Sequence, residues 1–276
     1  MGDQLSEASS ADPQGLSSGI DTSVAHPARR YNYWLGGKDN FAADRASGDA
    51  VAAAFPNIRL AAVENRRFLR RAVTFLTGQA GIRQFLDIGT GLPSADNTHE
   101  VAQRLAPESR VVYVDNDPLV MVHARALLTS AFEAGATDYV EADVREPEKI
   151  LQEAARTLDF SQPVALMLVA VLHFIPDDAN PYGIVARLVD ALAPGSYLVM
   201  SHATGEYLDA KTVAGFSAGP AAISFRTREQ FARFFDGLES LPPGIVSAAE
   251  WRAEDEPQPR PTAADTATYC AVARVP

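Results

Sequence analysis

The stretch QFLDIGTGLPSADN, residues 84–97, sets an acid and two glycines directly behind an apolar run. The run reads as a buried strand, and Gly89 and Gly91 permit a turn that brings bare backbone close to a ligand. Outward from this turn, short β-rich runs alternate with helical patterns, the signature of crossover units over a parallel sheet in an α/β fold. The pattern predicts strands near 84–88, 110–115, 138–141, 163–170 and 196–201, and helices near 98–106, 118–131, 147–158 and 181–193. VALMLVAVL at 164–172 is continuously apolar, as a central strand covered on both faces must be. Beyond Ser201 come a helical pattern at 227–237 and two strand candidates, GIVSAAEW and TATYCAVARV, expected as a terminal antiparallel pair at the sheet edge.

The chain divides by composition. Residues 1–20 are rich in Ser, Gly and Asp, without the basic start and apolar core of a signal peptide, and read as a disordered tail. Residues 21–83 read as a mostly helical lid segment ending in VENRRFLRRAVTFLTG, closed by Gly78. Residues 84–276 carry the sheet. Arg66, Arg67, Arg70 and Arg71 read as a solvated helical face, whereas Asn65 falls on the apolar stripe of Phe68, Leu69, Ala72 and Leu76 and needs a buried partner.

Bulk properties exclude several classes of function. With 276 residues and 47% hydrophobic content the chain can bury a full core, and a net charge of -11 repels phosphate backbones and anionic lipid. Nucleic-acid and membrane partners are therefore not expected, and no stretch reaches the roughly 18 apolar residues of a membrane span. The single cysteine, Cys270, rules out an intramolecular disulfide, reads as a small apolar residue of a late strand and fits the cytoplasm. The five histidines show no recognisable metal-ligand spacing, so no metal is expected.

The acids sharpen the picture. Asp87 beside the glycine turn would repel a pyrophosphate but suits a ligand bearing an ammonium or sulfonium charge. VVYVDND places Asp115 and Asp117 at the end of the second strand; Asp115 suits the two hydroxyls of a ribose, and Asp117, before Pro118, suits a helix N-cap. EADV ends the third strand with Asp143, placed to accept from an adenine amino group. Three consecutive strands thus end in acids at the edge where open α/β sheets bind ligands.

With DIGTG, DND, AD at 142–143 and the apolar strand running into AVLHF, residues 84–202 resemble the class I S-adenosylmethionine-dependent methyltransferases. PARRYNYWLGGKDNF, ENRRFLRRAV, QFLDIGTGLP and YVDNDP together are similar to the actinobacterial DUF574 methyltransferase family over nearly the whole chain after residue 20. The resemblance implies a Rossmann-like, doubly wound, mostly parallel seven-stranded sheet with an N-terminal helical lid. It further implies S-adenosylmethionine as cofactor, with Gly89, Thr90 and Gly91 cradling the methionine portion, Asp115 at the ribose, Asp143 and Val144 at the adenine, and Asn116 and Ala170 as further contacts. Many class I enzymes carry a third glycine where this chain has Pro93, so the loop to Thr98 takes its own path and Asn97 and His99 stay open as ligand contacts.

An acceptor oxygen would want a base, and His173 in AVLHF and His202 in LVMSHAT are the candidates, whereas His26 and His123 read as surface or packing residues. YNYWLGGKDN at 31–40 reads as a lid that closes over the cofactor, offers Tyr31 or Tyr33 to the acceptor and moves about Gly36–Gly37. Three functions compete: a methyltransferase acting on a small molecule, a regulator or degenerate enzyme that binds S-adenosylmethionine without transfer, and a nicotinamide oxidoreductase. The last is disfavoured by Asp87 and by Ser94 where a dinucleotide fingerprint needs its third glycine.

Overall fold

In the computed structural model, which describes residues 20–127, 134–217 and 222–276, three helices precede the sheet. They are α1 (Pro27–Trp34), α2 (Ala42–Ala54) and α3 (Ile58–Gly78). Then follow β1 (Gln84–Ile88), α4 (Thr98–Leu105), β2 (Arg110–Asp115), α5 (Pro118–Leu127), β3 (Ala136–Glu141), α6 (Pro147–Ala154), β4 (Ala165–Val169), α7 (Pro181–Val189) and β5 (Tyr197–Ala203). The chain closes with α8 (Ala210–Phe216), α9 (Arg228–Ala232), β6 (Glu239–Ser240), β7 (Val246–Ser247), α10 (Ala263–Thr266) and β8 (Thr268–Arg274).

The sheet runs β3-β2-β1-β4-β5-β8-β6, with β7 also on β8. The first five strands are parallel and β8 enters antiparallel to β5. The order reverses between β1 and β4, so a crevice opens at their carboxyl ends, directly beside the glycine turn. β4 is buried along its length between β1 and β5, as its apolar run requires.

Strand alternation sorts the core into two layers. Leu86, Ile88, Val112, Val114, Leu166 and Leu168 pack with α6, α7 and α9, while Phe85, Val111, Tyr113, Ala165 and Met167 pack with α3 and α4. Cys270 sits fully buried in β8 within the second layer.

The sheet has eight strands rather than seven because β6 and β7, two residues each, both find a partner in β8. GIVSAAEW gives a strand only at Val246–Ser247 and then bends, burying Trp251 edge-on against Phe68 and Phe75. Arg71 holds that bend through Ala248 O and Trp251 O, at 2.7 Å each, and with Arg70 it pairs Glu256. The arginine row of α3 is therefore not a solvated face: Arg70 and Arg71 tie the helix to the C-terminal segment, and Arg66 donates to Ala95 O and Asp96 O. α3 runs through Gly78, and its left-handed exit residue is Gly81. The expected tail lies outside the described residues, apart from residue 20, as does the stretch of the expected 118–131 helix beyond Leu127.

Candidate cofactor and acceptor site

The turn after β1 is stitched to β2. Gly89 N and Thr90 N donate to Val114 O, Gly91 N donates to Asp115 Oδ2 at 2.8 Å, and Thr90 Oγ1 closes onto Asp87 O. Both glycines have φ near +70°, the left-handed region that side chains resist. A Cβ on Gly89 would stand 2.1 Å from Val171 Cγ2, so this glycine admits the loop after β4; a Cβ on Gly91 would meet nothing within 4 Å. Gly91 faces the cavity and leaves backbone accessible there.

The three acids differ in how much hydrogen-bonding capacity is left to them. Asp115 is buried and also accepts from Asp117 N at 2.9 Å, which leaves roughly two of a carboxylate's four acceptor positions for hydroxyl donors. Asp143 is fully engaged: Arg145 Nε and Nη2 clamp it at 2.8 and 2.7 Å, Arg145 N donates to Oδ1, and Asn116 Nδ2 donates to Oδ2. Those bonds, led by the Arg145 side chain, hold its pKa down to about 2. An adenine amino group would have to displace one of them, and Asn116 is the neutral donor of the set. Asp87, buried beneath α4, accepts from Thr98 Oγ1 at 2.6 Å, and burial pushes its pKa up to about 6.

Ala170, directly after β4, sits at φ +61°, a strained position for a residue with a Cβ. Ser201, buried in β5, holds it there by taking Ala170 N on its Oγ at 2.9 Å and on its carbonyl at 3.3 Å. Ser201 was invisible as a site residue in the sequence because its role is to fix a backbone amide across strands. His173 lies in the following turn and lines the cavity. Its Nδ1 accepts from Ala203 N at 3.4 Å, and burial, then His202, Arg30 and Arg226, keep its pKa well below the ordinary imidazole range.

His202 does not reach the cavity. β5 extends through Ala203, paired to β8, so strand alternation turns the ring into the layer of Phe231 and Phe234. There Nδ1–H donates to Ala203 O and Nε2 accepts from Arg226 Nη1, both at 2.7 Å, and burial lowers its pKa to about 3. Arg226 also holds Leu172 O, Ile175 O and Asp177, fixing the turn that carries His173.

The N-terminal helices form the opposite wall. Tyr31 lines the cavity, donating to Ala62 O at 2.9 Å and accepting from Asn65 Nδ2 at 3.0 Å, which supplies the partner Asn65 required. Tyr33 does not line it. Residues two apart on a helix face opposite ways, and the Tyr33 hydroxyl donates to Asp49 while Arg59 stacks on its ring. Gly36 and Gly37 end α1 in a hydrogen-bonded turn, where a Cβ on Gly37 would collide with buried Asn32. Asp117 caps α5 through Leu119 N, as expected, and also forms a two-bond ion pair with Arg29 of α1 at 2.9 and 3.1 Å. His26 Nδ1 joins at 3.1 Å, so of the two roles expected of it the packing one holds. Nothing in local sequence pairs residues 88 positions apart.

Asn97 and His99 are occupied structurally. Asn97 N-caps α4 in a capping box with Glu100, and His99 Nδ1 lies 2.9 Å from Tyr113 OH. His123 lies 3.7 Å from Asp39. No three His, Cys, Asp or Glu side chains gather into a metal-binding group among the described residues.

These walls enclose a cavity of about 250 Å³ that contains the whole glycine turn, Asp87, Asp115, Asn116, Asp143, Val144, Ala170, His173 and Tyr31. One edge is polar backbone and carboxylate, and the rest is mainly apolar. The chain's residues 13–276 match the family model described as S-adenosyl methyltransferase. The chain belongs to that family. A crystal structure of a DUF574 family protein from Streptomyces avermitilis is similar at 44% identity, covering 93% of this chain and 99% of that one, with a TM-score of 0.86. A candidate methyltransferase from Thermobifida fusca is similar at 42% identity, covering 95% and 99%, also with a TM-score of 0.86. The N-methyltransferase NodS from Bradyrhizobium japonicum, solved with S-adenosylhomocysteine, shares the fold at 15% identity and a TM-score of 0.50, covering 90% and 99%. No curated protein matches the sequence. The chain is thus an S-adenosylmethionine-dependent methyltransferase with a Rossmann-like, mostly parallel sheet.

Proposed function

We propose that this methyltransferase acts on a small molecule held between the sheet edge and the N-terminal helices. The observation that carries the reading is one continuous cavity: the glycine turn and three carboxylates line one end, and a mainly apolar volume lies under α1 to α3. When bound, S-adenosylmethionine supplies an electrophilic methyl group on a sulfonium. The chain's part is to bind, align and exclude water. Backbone at Gly89, Thr90 and Gly91 would hold the methionine portion, and Asp115 has acceptor positions left for ribose hydroxyls. Asn116, Asp143 and Val144 surround the adenine end, Ala170 forms the floor beneath the reacting centre, and Tyr31 faces the acceptor.

A cavity of this size suits a small molecule, and the net charge of -11 disfavours nucleic acid. Residues 21–83 act as the lid and residues 84–276 as the methyltransferase domain. The reading places the protein in the cytoplasm, where a lone buried cysteine stays reduced; no helix among the described residues is long and apolar enough to cross a membrane. A regulator that holds the cofactor without transfer is the second reading, favoured by the low basicity of His173 and the burial of His202.

Calorimetric titration tests the cofactor site: S-adenosylhomocysteine binds, NAD does not, and Asp115→Asn weakens binding by about tenfold, the scale of a lost charge-assisted hydrogen bond. Incubating a metabolite extract with isotopically labelled methyl donor tests transfer. A labelled low-mass product supports the enzyme, and cofactor binding without any labelled product supports the regulator.

A further inference from the structure

The amino-acid end of the cofactor is a zwitterion, with one carboxylate and one ammonium. A carboxylate only accepts hydrogen bonds, and the glycine turn has spent its donors within the protein. Gly89 N and Thr90 N go to Val114 O, Gly91 N goes to Asp115 Oδ2, and the Thr90 hydroxyl goes to Asp87 O. What the turn still offers a ligand is carbonyl oxygen, and Asp87 beside it is an acid. Both suit the ammonium, so the donor for the carboxylate has to come from another element.

Arg66 of α3 brings one. It lines the same cavity and is half-buried. Its Nη2 donates to Ala95 O and Asp96 O at 3.1 Å each and reaches Asn97 Oδ1 at 3.5 Å, all on the loop that continues from the glycine turn. The guanidinium is thus anchored over that loop through one of its three nitrogens, and the hydrogen bonds it makes use neither Nη1 nor Nε. Its charge is answered at a distance rather than by contact. Burial raises the pKa of Asp87, while the Thr98 hydroxyl and the Arg66 charge hold it down, and the Asp96 carboxylate turns instead to Arg104 at 3.4 Å. An acid and a guanidinium that feel each other across one cavity, without touching, match a ligand that carries the two opposite charges side by side.

Resting on the cofactor reading above, we infer that Arg66 selects the carboxylate of the cofactor's amino-acid end, holding it through N–H groups that the 95–97 loop leaves over, while the ammonium turns to Asp87 and the carbonyls of the glycine turn. Recognition of the amino-acid end then belongs to the N-terminal helices as much as to the sheet edge. The side chain that receives the carboxylate is also the one that fastens the loop leading into α4.

The test is calorimetric titration of the full chain with four ligands that share the adenosine and the thioether. S-adenosylhomocysteine carries both charges, its deaminated analogue only the carboxylate, its decarboxylated analogue only the ammonium, and 5′-methylthioadenosine neither. On the unaltered protein, loss of the carboxylate weakens binding about tenfold or more, the scale of a lost charge-assisted hydrogen bond. Arg66→Met weakens the two carboxylate-bearing ligands by that factor and leaves the other two as they were; Arg66→Lys keeps part of the preference. An arginine that only fastened the loop would, when replaced, weaken all four alike. That result overturns the inference, as does a preference for the carboxylate that survives Arg66→Met, or equal binding of S-adenosylhomocysteine and its decarboxylated analogue by the unaltered protein. Should Arg66→Met fail to fold, Arg66→Gln, which still has a donor for Ala95 O, is read in the same way. If none of the four binds, the cofactor-site reading itself falls. If 5′-methylthioadenosine binds as tightly as S-adenosylhomocysteine, that reading stands and the role of Arg66 alone is lost.

Discussion

Gly89 and Gly91 share a left-handed backbone yet answer to different constraints. Gly89 is closed in by Val171, so Gly89→Ala adds a clash to the backbone strain and costs about 3 kcal/mol of stability. Gly91 faces open cavity, so Gly91→Ala costs only about 1 kcal/mol for the left-handed conformation. Its methyl group instead occupies the space where backbone meets cofactor. Thermal unfolding and calorimetry together separate the roles: Gly89→Ala lowers Tm strongly, while Gly91→Ala barely moves Tm and weakens S-adenosylhomocysteine binding. Asp87 yields a pH prediction of definite sign. Its folded pKa, about 6, lies above the value near 4 of an unfolded aspartate, so the unfolded chain releases this proton first as pH rises. The stability contributed by protonated Asp87 is complete below pH ~4 and is lost by pH ~6. In the ligand-free protein, Asp87→Asn removes that part of the slope; an unchanged profile in denaturant titrations at pH 4 to 7 would mean that Asp87 is not held protonated.

At the scale of elements, helices and strands were legible because they repeat one local physical signal, and the contacts between them were not. The five parallel strands follow from apolar runs bounded by turns, and β4 fell mid-sheet because only a strand covered on both faces reads as VALMLVAVL. Much of the cavity edge was equally legible, since Asp115 ends β2, Asp87 is next to last in β1 and Asp143 follows β3 by two residues, all three at the carboxyl edge of the sheet. The failures share a cause. The reading of Tyr33 ignored helix periodicity, that of His202 missed two further residues of β5, and that of the α3 arginines missed partners some 180 residues away. The Arg29–Asp117 pair is the most testable of these long-range ties, because it fastens α1 to the start of α5 while both partners are buried. Arg29→Met leaves Asp117 buried with only His26 opposite and costs about 3 kcal/mol. Asp117→Asn keeps the helix cap, since asparagine caps as well as aspartate. Adding Asp117→Asn to Arg29→Met therefore recovers part of the loss in a double-mutant cycle, because it removes the orphaned charge. Strictly additive losses would show that the two side chains do not interact.

For the whole molecule, the decisive fact is that the cavity belongs to two layers at once. The sheet contributes the glycine turn and the strand-end acids, and the N-terminal helices contribute Tyr31, Arg30 and Asn65. These layers meet elsewhere through Arg29–Asp117, through α3 against the sheet and through Arg71 to the C-terminal bend. A ligand that fills the cavity therefore adds contacts to both, and its binding energy must appear as protection in both. At S-adenosylhomocysteine near 100 times its Kd, the stabilisation is about 2.7 kcal/mol. That corresponds to a rise in Tm of roughly 5 to 11 °C for a chain of this class. Hydrogen exchange locates it: amides at 88–92 and 115–117 slow on binding, and so do those of 27–34 and 58–66. Slowing confined to the sheet edge would mean that the helices are a fixed wall rather than a lid that closes on the cofactor. In that case the acceptor would have to enter through a permanent opening, and Arg29→Met would leave the off-rate of S-adenosylhomocysteine unchanged. Coupled layers instead predict that the same substitution speeds release, because the lid then spends more time undocked from α5.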